Sequence, residues 1–173
     1  GLVVGEHAAQ PTMVDVRHAA TGSFFANDLA GGTLGADEQD LVLALGQALN
    51  ELARQARLEL IVAPGHPLAA EKSVRAEQMV GYPLLHREPG NGIRDLVDQF
   101  FTSAGIPYED LNVTAELGSL SSVKHLAAAG LGVAVASRAA IGRELKAGQL
   151  AAIPLDPPLF TPLEVILLKD KFR

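Results

Sequence analysis

Three short stretches carry residues whose types and spacing suit the capture of a small anion: Thr21-Gly22-Ser23, Glu88 to Gly92, and Gly118 to Ser121. Each sets small residues and a cap-forming side chain just ahead of an apolar helical pattern. A helix start leaves its first backbone N–H groups unpaired and carries a partial positive charge, so such loops receive carboxylate, sulfate or phosphate groups. Each exposed dipole end contributes about 0.3 to 1 kcal/mol toward holding an anion. Thr21, Gly22, Ser23, Glu88, Gly90, Asn91, Gly118, Ser119, Leu120 and Ser121 are therefore candidate ligand-binding positions. The same residue types are what a helix N-cap requires, so capping accounts for Ser119, Ser121 and Asn91 taken singly. A ligand accounts better for the three stretches taken together.

The charged candidates divide in the same way. Arg87 follows a strand-like run and reads either as a clamp for a carboxylate through two parallel N–H bonds or as a solvated or salt-bridged arginine. Glu6 and His7 suit a ligand amine or hydroxyl. Arg94, Lys124 and His125 lie off the apolar helix stripes and read as solvated, and His66, between two prolines, reads as structural. Phe100 and Phe101 fall on or beside a stripe and read as core. Enzyme motifs are thin. Gly130-Leu131-Gly132 has Val135 where a dinucleotide fingerprint needs its third glycine, and it follows a helix instead of opening one. There is no GxSxG elbow and no phosphate-binding GxxxxGK[ST] loop. The five histidines show no metal-binding HExxH spacing. A sensor without a cofactor is expected, not a catalyst.

Elements that would position these residues are legible along the chain. Ile93, Leu96, Val97, Phe100, Phe101 and Ala104 fall at helical spacing, and Gly105 and Pro107 then stop the helix. Leu120, Val123, Leu126 and Ala127 make a second stripe, with Ser119 placed as N-cap and Gly130 as the left-handed residue after the helix. Leu58 to Val62 reads as a strand, and the continuous apolar run Gly132 to Ala136 suits a strand covered on both faces. Further strands are expected at 2–5, 13–17, 41–45, 84–86, 113–117, 150–153 and 163–168. Further helices are expected at 24–30, 48–57, 74–79 and 139–146, with a loop at Pro157-Pro158. Alternation of strands and helices predicts a parallel, doubly wound α/β sheet. The Pro- and Gly-rich break at 63–69 predicts a boundary between a first lobe, 1–62, and a second, 63–152, with 153–173 returning toward the first.

Composition limits the classes of function. The chain has 173 residues, 48% of them hydrophobic, and a net charge of −6, which argues against this piece gripping DNA phosphates itself. Five per cent aromatic residues and no tryptophan disfavour a base-stacking surface. No apolar run is long enough for a membrane span. The absence of cysteine excludes disulfides and thiolate chemistry and fits a cytoplasmic protein. The abrupt start in GLVVG reads as a piece of a longer chain.

From Leu58 to Leu168, about two thirds of the chain, the sequence resembles the effector-binding domain of a LysR-type transcriptional regulator. The match rests on LELIVAPGHPLA, PLLHREPGNGIRDLVDQFF, the AGI of Ala104 to Ile106, ELGSLSSVKHLAAAGLGVAVASR, and AGQL followed by IPL. The resemblance implies two Rossmann-like lobes joined by crossing strands, the type 2 periplasmic-binding-protein architecture. It further implies a small-molecule effector between the lobes, a homo-oligomer, and DNA contact only through an N-terminal winged helix-turn-helix that is not in this sequence. In the first loop, where family members often present serine or threonine to the effector, this chain has Glu6, His7 and Ala8. Gln10 meets Pro11 where the family places an amphipathic helix, which implies either a shortened first lobe or residues missing from this sequence. A solute-binding protein of a transport system shares the layout and is the alternative.

Overall fold

The computed structural model describes residues 12–15, 46–48, 50–162 and 164–167. Contacts divide the chain into two units, Gly1–Gln55 with Pro162–Arg173, and Ala56–Thr161. In the first, strand β1 (Thr12–Asp15) pairs antiparallel with the late strand β7 (Glu164–Leu167), so the C-terminal segment returns to the N-terminal unit. The expected strand at 2–5 and helix at 24–30 lie outside the described residues, as does 41–45.

The second unit holds one mixed sheet. Strand β2 (Arg57–Val62) lies between β5 (Ala134–Ser137) and β6 (Ala151–Phe160), antiparallel to both. Strands β3 (Leu84–Arg87) and β4 (Val113–Leu117) run parallel. Val133, just ahead of β5, bridges Leu84, its N–H donating to the Pro83 carbonyl and its carbonyl accepting from the Leu85 N–H, both at 2.8 Å. The strands thus follow one another as β4-β3-β5-β2-β6. An all-parallel sheet was expected, and β2 overturns that. Strand-forming residue types carry no mark of strand direction. β2 is hydrogen-bonded throughout to strands of the second unit.

Period-two alternation sorts β2 onto two cores. Leu58, Leu60 and Val62 join one cluster with Val97, Phe100 and Phe101, while Ile61 joins the other with Val123, Ala127, Ala134, Ala136 and Ile141. The helices covering these faces are α2 (Gly92–Ser103) and α3 (Leu120–Ala128); a short α1 (Ala76–Met79) precedes them and α4 (Gly142–Lys146) follows. Residues 139–141, expected to open that last helix, lie in a 3₁₀ turn (Arg138–Ile141) ahead of it. β6 continues through the expected Pro157-Pro158 loop. Its register against β2 slips between Leu58 and Glu59, so that the prolines sit in a bulge where no ladder N–H is needed.

The ends of α2 follow local rules. Asn91 caps it, its side-chain oxygen accepting from the Ile93 N–H at 3.0 Å. At the other end Gly105 has φ +76°, and Ile106 donates back to the Phe101 carbonyl at 3.0 Å. Ser119 occupies the N-cap position of α3 with an extended backbone, but its side chain makes no capping bond. The expected serine cap is therefore absent, although the residue type suits one. Asn91→Ala should lower stability by about 1 kcal/mol. Ser119→Ala should change it by less than about 0.5 kcal/mol. Urea unfolding of the two variants checks the contrast; equal losses would show that Ser119 caps its helix in solution.

Candidate functional site

Parallel strands β3 and β4 end side by side, with Arg87 paired to Leu117. Each strand then feeds a helix, through Glu88 to Asn91 into α2 and through Gly118 and Ser119 into α3. Two helix starts thus meet at the carboxyl ends of neighbouring parallel strands, the position where open α/β sheets receive ligands. The loops are tied together. The Glu88 N–H donates to the Leu117 carbonyl at 3.3 Å. The Arg87 guanidinium donates to the Leu117 carbonyl at 3.2 Å and to that of Gly118 at 3.4 Å.

Arg87 is salt-bridged, the alternative to a ligand clamp. Its Nε and Nη2 donate to the two oxygens of the adjacent Glu88 carboxylate at 2.8 and 2.9 Å. Asn91 Nδ2 adds a third donor to Glu88 Oε1 at 3.2 Å. The Arg87 hydrogen bonds, followed by a backbone N–H, bring the Glu88 carboxyl down to about 2. Gly90 makes the turn between strand and helix at φ +84°. Arg87, Glu88, Asn91 and Gly118 are in direct contact, and Ser119, Leu120 and Ser121 continue from Gly118 as the first turn of α3. The first intrahelical donor of α3 is Val123, bonded to the Ser119 carbonyl at 3.1 Å. By helix geometry the N–H groups of residues 120–122 have no partner within the helix. Ser119 and Ser121 are exposed and Leu120 is half-buried in the second core. Glu6, His7, Ala8, Thr21, Gly22 and Ser23 lie outside the described residues.

A second polar cluster escaped the sequence reading. His86 is buried, and its Nε2 lies 2.8 Å from Asp98 Oδ1 on α2. Arg94, expected on the surface, is largely buried. It donates to the Arg87 carbonyl at 2.9 Å and to the Glu116 carboxylate at 2.5 Å, with its guanidinium 5.4 Å from the Tyr108 ring centre. Its hydrogen bond to Glu116 raises the Arg94 pKa and lowers that of the carboxylate; burial raises the Tyr108 phenol. The Arg94 bond to the Arg87 carbonyl fixes the end of β3 from beneath. Spacing held one clue: Arg94 and Asp98 lie four apart, on one helix face.

Other side chains anchor the fold. Lys124, expected to be solvated, donates to Glu144 at 2.6 Å and to the Ala140 carbonyl at 3.1 Å, joining α3 to α4. That contact lowers the Glu144 carboxyl. Glu59, buried within an apolar strand, is held by Arg138 at 2.9 Å. His66 is structural, its Nδ1 accepting from the Leu68 N–H at 3.1 Å, and burial lowers its pKa. Phe100 and Phe101 are core. Among the described residues no helix is long and apolar enough to cross a membrane, and no group of three or more His, Cys, Asp or Glu could hold a metal. A hollow along the edge of β4, lined by Tyr108, Glu109, Leu111 and Val113 to Glu116, includes none of the predicted effector-binding residues.

Comparison with known proteins is consistent across sequence and structure. Residues 37–173 match the family model of the LysR substrate binding domain. The RuBisCO operon transcriptional regulator of Acidithiobacillus ferrooxidans is 37% identical over 112 residues, 65% of this chain and 33% of that protein. The transcriptional activator CmpR of Synechocystis is 32% identical over 115 residues, 66% of this chain and 37% of that one. The chain thus spans about a third of the length of these relatives. Among solved structures, the regulatory domain of Synechocystis CcmR in complex with 2-PG is 25% identical with a TM-score of 0.55, over 66% of this chain and 54% of that chain. The effector-binding domain of QuiR in complex with shikimate is 18% identical with a TM-score of 0.53, over 68% and 55% of the two chains. These likenesses show the fold to be the two-lobed, type 2 periplasmic-binding-protein arrangement.

Proposed function

Because the chain belongs to the family of LysR substrate-binding domains, we propose that it is the ligand-sensing part of a transcriptional regulator and that it takes a small anionic metabolite at the carboxyl ends of β3 and β4. The observation that carries this is the juxtaposition of two helix starts there, one of them, at Gly118 to Ser121, without a side-chain cap. Backbone N–H groups and small residues at that turn suit a carboxylate or phosphate. Glu6, His7, Ala8, Thr21, Gly22 and Ser23 remain further candidate ligand contacts, outside the described residues. Ligand binding would change how copies of the domain associate, and DNA would be gripped by a helix-turn-helix outside these residues. Such control needs a ligand that binds the two states unequally, with a coupling of about 1 to 3 kcal/mol.

A thermal-shift screen against small carboxylates, phosphates, sulfur metabolites and amino acids tests the reading. Binding to the folded state raises the melting temperature by mass action, with about 2.7 kcal/mol of stabilisation at a ligand concentration of 100 Kd. A saturable rise from one chemical class is the expected outcome. Gly118→Ala locates the site. A Cβ there meets nothing within 4 Å and the backbone is not left-handed, so the variant should fold normally. The added methyl group would stand where a ligand approaches the backbone and should weaken binding about tenfold, the size of one hydrogen bond to a charged group. Undiminished affinity would remove this loop from the site.

A further inference from the structure

We infer that the Glu88 carboxylate is an internal stand-in for the ligand's anionic group, occupying an anion subsite made by Arg87 and Asn91 and requiring displacement before a ligand can use it. This rests on the reading of the β3 and β4 ends as a ligand site. Three donors converge on one carboxylate: Arg87 Nε at 2.8 Å, Arg87 Nη2 at 2.9 Å and Asn91 Nδ2 at 3.2 Å. The two guanidinium donors form one edge of the fork that recognises carboxylate and phosphate. That edge is taken by Glu88, so an incoming oxyanion cannot engage it side-on while the pair is closed.

The subsite stays in place without Glu88. Arg87 is only 14% exposed and is also held by the Leu117 and Gly118 carbonyls. Asn91 is fixed independently by accepting from the Ile93 N–H. Glu88, by contrast, is 38% exposed and sits on a loop, so its carboxylate can swing into water while the donors remain. The Arg87 guanidinium also holds the Glu88 carboxyl down to about 2, which keeps it a full anion at any physiological pH. A tethered carboxylate has a high effective concentration at its own arginine, so weak monoanions lose the exchange. The arrangement selects ligands that add a second contact, for example at the neighbouring N–H groups of residues 120–122. The ligand class is therefore a compact anion with a second acceptor group, not a simple monocarboxylate.

The test is calorimetric titration of the intact chain with sulfate at constant ionic strength, comparing wild type, Glu88→Gln and the double variant Arg87→Ala/Glu88→Gln. Circular dichroism establishes that each is folded. Glu88→Gln keeps the size of the side chain and removes its charge. If the pair is closed in at least nine molecules of ten, releasing it raises apparent sulfate affinity about tenfold or more, and the gain disappears in the double variant. Affinity unchanged in Glu88→Gln, no sulfate binding by that variant, or a gain that survives loss of Arg87 would each overturn the inference. The broader reading fails separately. A sulfate gain with a silent metabolite screen upholds the subsite and sinks ligand sensing, and a metabolite whose affinity ignores Glu88 does the reverse.

Discussion

Phe101→Ala should lower the unfolding free energy by about 3 to 5 kcal/mol, the largest effect expected of any single truncation in the second unit. The ring is 1% exposed and meets Phe100 edge-on with centroids 5.8 Å apart. It shares a core with Leu58, Leu60, Val97, Val133 and Ile153, drawn from α2 and from β2, the residue ahead of β5, and β6. Truncation removes the burial and leaves a void that these backbone-anchored neighbours can only partly fill. Urea unfolding should show a lower midpoint at nearly unchanged slope. A loss below about 1 kcal/mol would mean that the helix repacks freely and is not pinned on the sheet. The consequence for function is indirect but definite, since α2 carries Asn91 at its start and Arg94 beneath the end of β3.

Gly132→Ala should cost about 1 to 3 kcal/mol although it adds one methyl group. A Cβ built at Gly132 would lie 2.6 Å from the Pro83 carbonyl oxygen and 3.0 Å from Leu85 Cγ. The first of these is backbone and cannot turn aside. That oxygen also accepts the Val133 N–H, one of the two bonds that join β3 to β5. Relief of the clash must stretch the seam between the β3-β4 pair and the rest of the sheet. Faster amide exchange at Val133 and Leu85 than in wild type, beside a lower melting temperature, is the expected signature. A variant as stable as wild type would show that the strands approach less closely than 2.6 Å implies. Since β3 ends at Arg87, a shifted strand should also weaken ligand binding.

Much of what positions the site could be read in advance. The helix at 92–103 was legible because its cause is local: an apolar stripe, a capping asparagine before it and a glycine after it. Strand 134–137 is legible as an apolar run, and 57–62 as strand-forming residues interrupted by Glu59. The loop at Glu88 to Asn91 lies between strand and helix as expected, whereas of Gly118 to Ser121 only Gly118 and Ser119 do, Leu120 and Ser121 being already in the helix. Ser119 marks the limit of such rules. Its type and position fit a cap, yet the bond is absent, because capping depends on a rotamer that spacing does not specify.

What the residues determined by themselves, then, was the kind of each element and the character of its faces, since hydrophobic period and cap chemistry act within a few residues. Strand direction and electrostatic partnership were left to the tertiary structure. β2 is antiparallel to both neighbours because of where the chain turns back, and nothing in an apolar run encodes that. The sequence names no partner for Arg87, Arg94, Lys124 or Glu59. Each proved to have a partner: Glu88 next in sequence, Glu116 22 residues away, Glu144 across two helices, and Arg138 79 residues along the chain. A buried charge must be paired, but which opposite charge comes within 3 Å or so is decided only when sheet order and helix packing bring distant segments together.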